Sequence, residues 1–520
     1  MTVPTTADLA RAVADAQAYL GTFPDIAEGE VFAAANGQLL ARLNYTSHIA
    51  CNGVEEPKST ESYGLGLQVV VRTPEGPRLG FGSEPSDLTL DGVRRALAKA
   101  RAGAVHDPTF VSLPKPGPER PTLADYHDPR LLAITDEDLV AAGWTVVGGT
   151  LRTFRASSRL AELAGTDAGI RRLGLILGGD VTILQERVAI ASSHLPGVQA
   201  DESTLIMASV TAMVERMEAK GSGWATGTRL DHFTGESGAE AAQNAIRAVG
   251  GERVPAGRYT VIFGHQPVTD LLNNILLPAL HASSFYASNT PFLGRWGRPV
   301  ASPLLTIYDH GALPGFMGSK RITCEGLPTG RTELITRGVL AGCLTNWYEA
   351  QRLLRDPDAC AKLGVEPAEA ARGLVARNGF RFAAGGGRHF STPPGIAATN
   401  VLIEGSAAVS LDELIRRVGD GLYVGRIWYT YPINGLRAGD FTCTVVGDSY
   451  VIRGGRIVAP LRANAIRIND NIATFLNQVV GITKEAKGTM VWAADEVVYA
   501  PEIAVSGVQV EEIAEFLARP

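Results

Sequence analysis

Chemistry in a chain starts with groups that hold metals or move protons. Five of them fall in one stretch of this chain: His265, His281, Asp309, His310 and Glu325. Imidazoles and carboxylates together supply metal ligands or a general acid and base. Their spacing forms no recognised signature, for the sequence has no H-E-x-x-H, no G-x-S-x-G elbow, no Walker A loop and no G-x-G-x-x-G after a strand. From the residues alone they read as hydrogen-bonded or surface side chains, with a replacement site as the alternative. Cys324, beside Glu325, has no neighbouring histidine to depress its pKa and is not read as a nucleophile. Gly385-Gly386-Gly387-Arg388-His389 is glycine-rich like a phosphate loop, but no capped helix follows it, so it reads as a flexible loop. Trp428, Tyr429 and Tyr431 form an aromatic cluster that a β-domain core or a subunit interface explains ahead of a peptide groove.

Composition narrows the classes. The chain has 520 residues, and 48 Lys+Arg against 54 Asp+Glu give a net charge of −6 with both signs scattered, so no nucleic-acid footprint is visible. The first twenty residues carry neither a basic n-region nor an apolar h-region, and no apolar run approaches the ~18 residues of a membrane span. The five cysteines are widely separated with no C-x-x-C pair, which gives neither a disulfide framework nor a zinc knuckle. A cytoplasmic protein with no membrane or nucleic-acid partner is expected.

The elements that would position such groups show an internal echo. A helix capped near Thr6 with Leu9, Val13, Ala16 and Leu20 on one face precedes strands Val31–Ala35 and Leu39–Leu43, with a turn expected at Asn36-Gly37. Gly64–Val71 and Arg78–Phe81 follow around Pro74-Glu75-Gly76, then a helix over about Thr89–Ala102. The order recurs: a helix over about Leu151–Leu163, strands Leu173–Leu177 and Val181–Gln185 around a turn at Gly178-Gly179-Asp180, strands Thr204–Val214 and Gly223–Thr226, and a helix over about Gly238–Val249. Six prolines between 108 and 129 mark residues 106–149 as a linker or insertion. From Val254 onward strands and turns dominate, including a hairpin over Tyr450–Val458 turned by Gly454-Gly455. The expected fold is α+β. Residues 1–255 form an N-terminal domain of two repeated α/β-hairpin units (about 1–105 and 150–252) whose sheet is covered by helices. Residues 256–520 form a mainly antiparallel β domain.

Several pieces of the second half occur in one order: Leu271-Leu272 opening a helix after a strand, Val300-Ala301-Ser302, Asp309 at a strand end, Glu325-Gly326-x-Pro328-Thr329, Arg337-Gly338-Val339-Leu340, Ala398-Thr399-Asn400, Gly419-x-Gly421-Leu422-Tyr423-Val424, Gly439-Asp440-Phe441 and the Gly454-Gly455 hairpin. In this the chain resembles the TldD/PmbA family of bacterial metalloproteolysis and peptide maturation. The resemblance covers the C-terminal half well and the N-terminal half in outline, where Asp87-Leu88-Thr89 matches a hairpin end before a helix.

The resemblance implies an H-E-x-x-x-H motif on the helix after the strand, with two imidazoles on zinc and the glutamate as base. An ungapped placement puts Asn273 and Pro278 at the histidines and Asn274 at the glutamate. The family's cysteine ligand is missing as well, since Gly488-Thr489-Met490-Val491-Trp492-Ala493-Ala494 contains no thiol. This loss resembles the TldE/PmbA side of the family. It implies a metal-free subunit that pairs with a TldD-like paralogue carrying H-E-x-x-x-H and its zinc, and that helps hold an extended or unfolded peptide. Glu325, His281, Asp309 and His310 are the substrate-binding candidates. His281 is expected two turns beyond Asn273 on one helix if Pro278 does not break it. The alternatives are an autonomous enzyme with a repurposed cavity in a biosynthetic pathway, and a homodimeric binding or scaffold protein.

Overall fold

The computed structural model describes residues 3–124, 126–383, 387–490 and 497–513. The first half starts with α1 (Thr6–Leu20), whose capping box is made by Thr5 and Asp8. Three long strands follow, β1 (Ile26–Thr46), β2 (Lys58–Thr73) and β3 (Gly76–Pro85), then α2 (Leu90–Ala102). The series repeats as α3 (Asp136–Arg155), β4 (Leu175–Ser192), β5 (Gln199–Val214), β6 (Ala219–Gly227) and α4 (Glu236–Arg247).

The six strands and the two-residue strand Gly53–Val54 make one sheet in the order β3-β2-β1-β4-β5-β6, with β1 antiparallel to β4. That order is what two copies of one α-β-β-β-α string give when their first strands pair about a local two-fold. Helices cover one face, where Val31, Ala33 and Ala35 pack with Leu9, Val13 and Leu97. On the other face Phe32, Ala34, Val188 and Ile190 pack against Ile322, Phe380 and Phe390 of the second half. Alternate residues of β1 therefore serve two cores.

Three places differ from the sequence expectation, two of them through pairing on both edges of a strand. Asn36-Gly37 is no turn: it lies inside β1, paired with Ser62 and Glu61 on one side and Glu186 and Gln185 on the other. A ladder on both edges overrides a local turn preference. Gly178-Gly179-Asp180 likewise lies inside β4. In the proline-rich stretch, α3 already starts at Asp136, with Thr135 as its cap and three acids in the first turn, and it buries Leu139, Val146 and Val147. It ends at Arg155, and a separate helix, Ser158–Ala164, is capped by Ser157.

The second half holds a thirteen-stranded, mainly antiparallel sheet. Its strands are β7 (Gly257–Phe263), β8 (Leu305–His310), β9 (Arg331–Thr336), β10 (Asn400–Gly405), β11 (Gly421–Val424), β12 (Arg426–Pro432), β13 (Asp440–Gly447), β14 (Tyr450–Arg453), β15 (Arg456–Pro460), β16 (Ile466–Asn471), β17 (Val479–Thr489) and β18 (Val497–Glu512), with Val339–Leu340 beside β9. Only β10–β18 and β7–β11 pair in parallel among the described residues. Gly454 and Gly455, at φ 54° and 71°, turn the β14–β15 hairpin as the residue pair predicts. No helix of the described residues is long and apolar enough to cross a membrane.

Candidate functional site

The helix after β7 begins as α5 (His265–Leu271), widens into a π turn over Leu272–Leu276 and ends with Leu277–Ala279. Pro278 lacks an N–H for the ladder, and the wide turn lies just ahead of it, where Leu277 N donates to Leu272 O. Positions 273 and 278 are five apart, which in a regular α-helix leaves them about 140° apart around the axis. The extra residue of the π turn reduces that angle and brings them toward one face.

The side chains there are unsuited to zinc. Both amide atoms of Asn273 are buried without a hydrogen-bond partner. Asn274 is exposed, and its amide donates to the Asp270 carboxylate at 3.0 Å and the Asp270 carbonyl at 2.9 Å. Pro278 offers no donor atom. His265, at the start of the helix, uses Nδ1 on the Ala500 carbonyl at 2.6 Å. These residues do not fit a zinc ion. Among the described residues no three His, Cys, Asp or Glu side chains are grouped to hold a metal. Of the stretch where a cysteine ligand would fall, Gly488–Met490 lies on or just past β17, and Val491–Ala494 is outside the described residues.

The four substrate-binding candidates do not converge either. His281 is not on the helix of Asn273: the helix ends at Ala279, and His281 is extended (φ −80°, ψ 140°), capping Ala282–Tyr286. Burial pushes its imidazole down to about 4, so it is neutral at pH 7. Asp309, at the end of β8, is buried and occupied. Its carboxylate accepts from Thr399 N at 2.7 Å, from the Thr399 hydroxyl at 3.0 Å and from Asn378 Nδ2 at 2.7 Å, which ties β8 to the loop before β10. His310 accepts the Ala312 N–H on Nδ1 at 3.2 Å. Glu325 is 3 % exposed, and both its oxygens accept the N–H of Trp347, the first residue of α6 (Trp347–Leu354), at 3.0 and 3.1 Å. Burial pushes its carboxyl up to about 8, with Glu30 adding to the rise and the Trp347 N–H and Arg381 opposing it.

Glu325 is bonded as a loop anchor, yet it stands at the end of a polar seam that the sequence reading missed. Along the face of the first sheet that meets the second half run Glu30 on β1, Glu186 on β4, and Asp201 and Ser203 on β5. Facing them are Arg381, Arg388 and Lys320. Arg381 pairs with Glu30; Arg388 reaches Asp201 at 2.8 Å and Glu186 at 3.5 Å; Lys320 reaches Glu186 at 2.7 Å. Both arginine side chains are fully buried. The stretch expected to be a flexible loop is, at Gly387-Arg388, a strand paired with Phe382-Ala383 and inserted into this seam, while Gly385 and Gly386 lie outside the described residues. The only signal in the sequence was charged residues inside apolar runs, such as Glu186 before Val188 and Ile190, which reads equally as a strand end.

The aromatic cluster is no core. Trp428, Tyr429 and Tyr431 are 38, 67 and 54 % exposed, and Tyr429 sits at φ 56° in an irregularity between β12 and β13. A positive φ at an aromatic residue is a costly conformation. Next to it, the Thr430 hydroxyl donates to the carboxylate of Asp270 on α5, so the strained strand is tied to the helix described above.

Fold and second half together set the class, that of proteins similar to the PmbA/TldA metallopeptidases: residues 256–512 match the family model described as the PmbA/TldA metallopeptidase C-terminal domain. The chain belongs to the TldD/PmbA family. It is 25 % identical over 248 residues to a metalloprotease of Synechocystis sp., covering 47 % of this chain and 46 % of that one. It is 28 % identical over 116 residues to the metalloprotease PmbA of Escherichia coli O157:H7, covering 22 % of this chain and 26 % of PmbA. Its matches thus span about half the length of the first curated relatives, or less. The crystal structure of TldE from Thermococcus kodakarensis superposes with a TM-score of 0.74 at 19 % identity, over 96 % of this chain and all of TldE, so the fold is the TldE fold.

Proposed function

We propose that this chain is the metal-free, TldE-like subunit of a two-chain TldD/TldE-type zinc metalloprotease that processes or degrades peptides in the cytoplasm. The observation that carries this reading is the helix at Asn273, Asn274 and Pro278, where the motif positions are drawn toward one face by a π turn but offer no imidazole and no carboxylate. In this reading the zinc and its base belong to a TldD-like partner, and this chain supplies part of the wall around an extended peptide. Strand addition suits such a substrate, because backbone hydrogen bonds ignore side-chain identity. The exposed Trp428, Tyr429 and Tyr431 beside that helix suit a contact surface for the partner or the peptide. The test is co-expression with an H-E-x-x-x-H paralogue, followed by size, zinc content and cleavage of an unfolded peptide. A stable complex with zinc in the paralogue alone is expected. Stoichiometric zinc in this chain purified by itself, or no association with any such paralogue, removes the proposal.

One observation favours the autonomous-enzyme alternative. A cavity of about 280 Å³ between the two halves is lined by His265, Tyr423, Asp448 and Glu502 among others. Burial raises Glu502 to about 6 and Asp448 to about 7, values suited to proton transfer near neutrality. Peptide turnover by the isolated chain in chelator, lost in Glu502→Gln, would establish that reading in place of the first.

A further inference from the structure

Glu325 belongs to a second cavity, distinct from the one beside His265. It encloses about 190 Å³ where the first sheet, the residues just after α2 and the start of α6 meet. An engineered cavity of about 150 Å³ accepts benzene, so this one holds a group of roughly six to eight heavy atoms.

Its walls are largely apolar, with acidic side chains set into them. Three carboxyl side chains line it, Glu30, Asp107 and Glu325, together with the rings of Phe110, Trp347 and Tyr348. Among the described residues no lysine or arginine lines it. The segment expected to be part of a linker is tied down to form one side. The Tyr348 hydroxyl donates to Asp107 at 2.8 Å, and Trp347 Nε1 donates to the Ser112 carbonyl at 3.0 Å. Leu113 N donates to Glu28 at 2.7 Å.

The acids are not equally satisfied. Glu30 is paired with Arg381, and Asp107 accepts from Thr109 and Tyr348. Glu325 is almost wholly buried, faces no cation at bonding distance, and has a single N–H, that of Trp347, shared between its two oxygens. A carboxyl group has room for about four hydrogen bonds, so most of its capacity is unused. Arg352, whose guanidinium lies 5.7 Å from the centre of the Tyr348 ring, is itself paired with Glu349 at 3.0 Å.

Aromatic faces beside a carboxyl group that no cation engages at bonding distance are the walls that recognise an organic cation, by cation–π attraction and charge-assisted hydrogen bonding. We propose that this cavity binds a primary alkylammonium group, with Glu325 as its counter-ion and Trp347 and Tyr348 as its aromatic walls. Burial and Glu30 keep Glu325 protonated at pH 7 when the cavity holds no cation. Docking of R-NH3⁺ turns the acid into a carboxylate, and its proton passes to solvent. The inference does not depend on the subunit reading, since neither the zinc-motif helix nor a partner enters it.

Calorimetry on the full chain tests it, with n-pentylamine as the probe and n-pentanol as the neutral control, in buffers of different ionisation heats at pH 7. Pentylamine is expected to bind with release of close to one proton, and pentanol at least about tenfold more weakly. Glu325→Gln is expected to lose both the proton release and the preference for the amine. Two further probes separate the sources of such a group. Preferential binding of Nα-acetyl-lysine amide assigns the site to a lysine side chain, and that of a lysine-free dipeptide amide to a peptide amino terminus. Equal binding of amine and alcohol, no binding of any amine, or amine binding without proton release in the unmodified chain overturns the proposal whether or not the variant folds.

Discussion

The Glu186 carboxylate on β4 lies 2.7 Å from the ammonium nitrogen of Lys320, across the seam between the first sheet and the second half, and both side chains are largely buried. Arg388, fully buried, shares the same carboxylate at 3.5 Å. Burial alone would raise the pKa of Glu186, but Lys320 and Arg388 outweigh it and hold the carboxyl well below its ordinary range.

Removing this charge leaves the buried Lys320 without its carboxylate and Arg388 with Asp201 alone. Glu186→Gln is expected to cost about 3–5 kcal/mol, the usual penalty for breaking a buried pair. Urea unfolding of the variant against the unmodified chain measures it. Because the folded-state pKa is depressed, the stabilisation is fully present above the ordinary value of 4.5 and is lost as pH falls below it. The gap between the two unfolding curves should therefore narrow in acid.

Glu325 has the opposite sign. Its folded-state value of about 8 stands above the ordinary 4.5, so between these pH values the folded chain holds a proton that the unfolded chain has released. Stability is therefore expected to fall as pH rises across that window. Glu325→Gln removes this contribution and should flatten the fall of Tm between pH 5 and pH 8. A variant whose Tm tracks the unmodified chain over that range would contradict the assignment.

Thr430 and Asn274 are the two side chains that hydrogen-bond the carboxyl of Asp270, which burial raises to about 6 in spite of them. Thr430→Val takes away one donor and leaves a partly satisfied buried acid. A loss of about 1–3 kcal/mol in chemical denaturation at pH 8 is expected, where Asp270 is ionised. The loss should shrink at pH 5, where the acid is protonated and needs the donor less.

Gly66 on β2 packs its bare Cα side against the backbone of Phe390, just past the inserted strand. A Cβ there would lie 2.1 Å from the carbonyl oxygen of Phe390, a backbone atom with no rotamer to give way. Gly66→Ala is expected to cost about 1–3 kcal/mol by displacing Phe390 from its contacts with Phe32 and Ile322. Alanine at the open Gly117, where no atom stands within 4 Å of a Cβ, is the control that should leave Tm unchanged.

The sequence by itself determined the amphipathic helices and most strands, because Leu9, Val13, Ala16 and Leu20, or the Gly454-Gly455 turn, depend on neighbours close along the chain. It also determined the absence of imidazole and carboxylate at positions 273, 274 and 278, and the order of pieces that marks the family. Only the tertiary structure decided that Asn36-Gly37 and Gly178-Gly179 lie within strands. Their turn preference is local, whereas the ladders on both edges of β1 and β4 come from segments far away in the chain. Only the fold, too, brought Glu30 to Arg381 and Glu186 to Lys320, and set Glu325 against the rings of α6 across a cavity. A charge pair acts through distance in space, and no periodicity along the chain records which acid a buried arginine will meet.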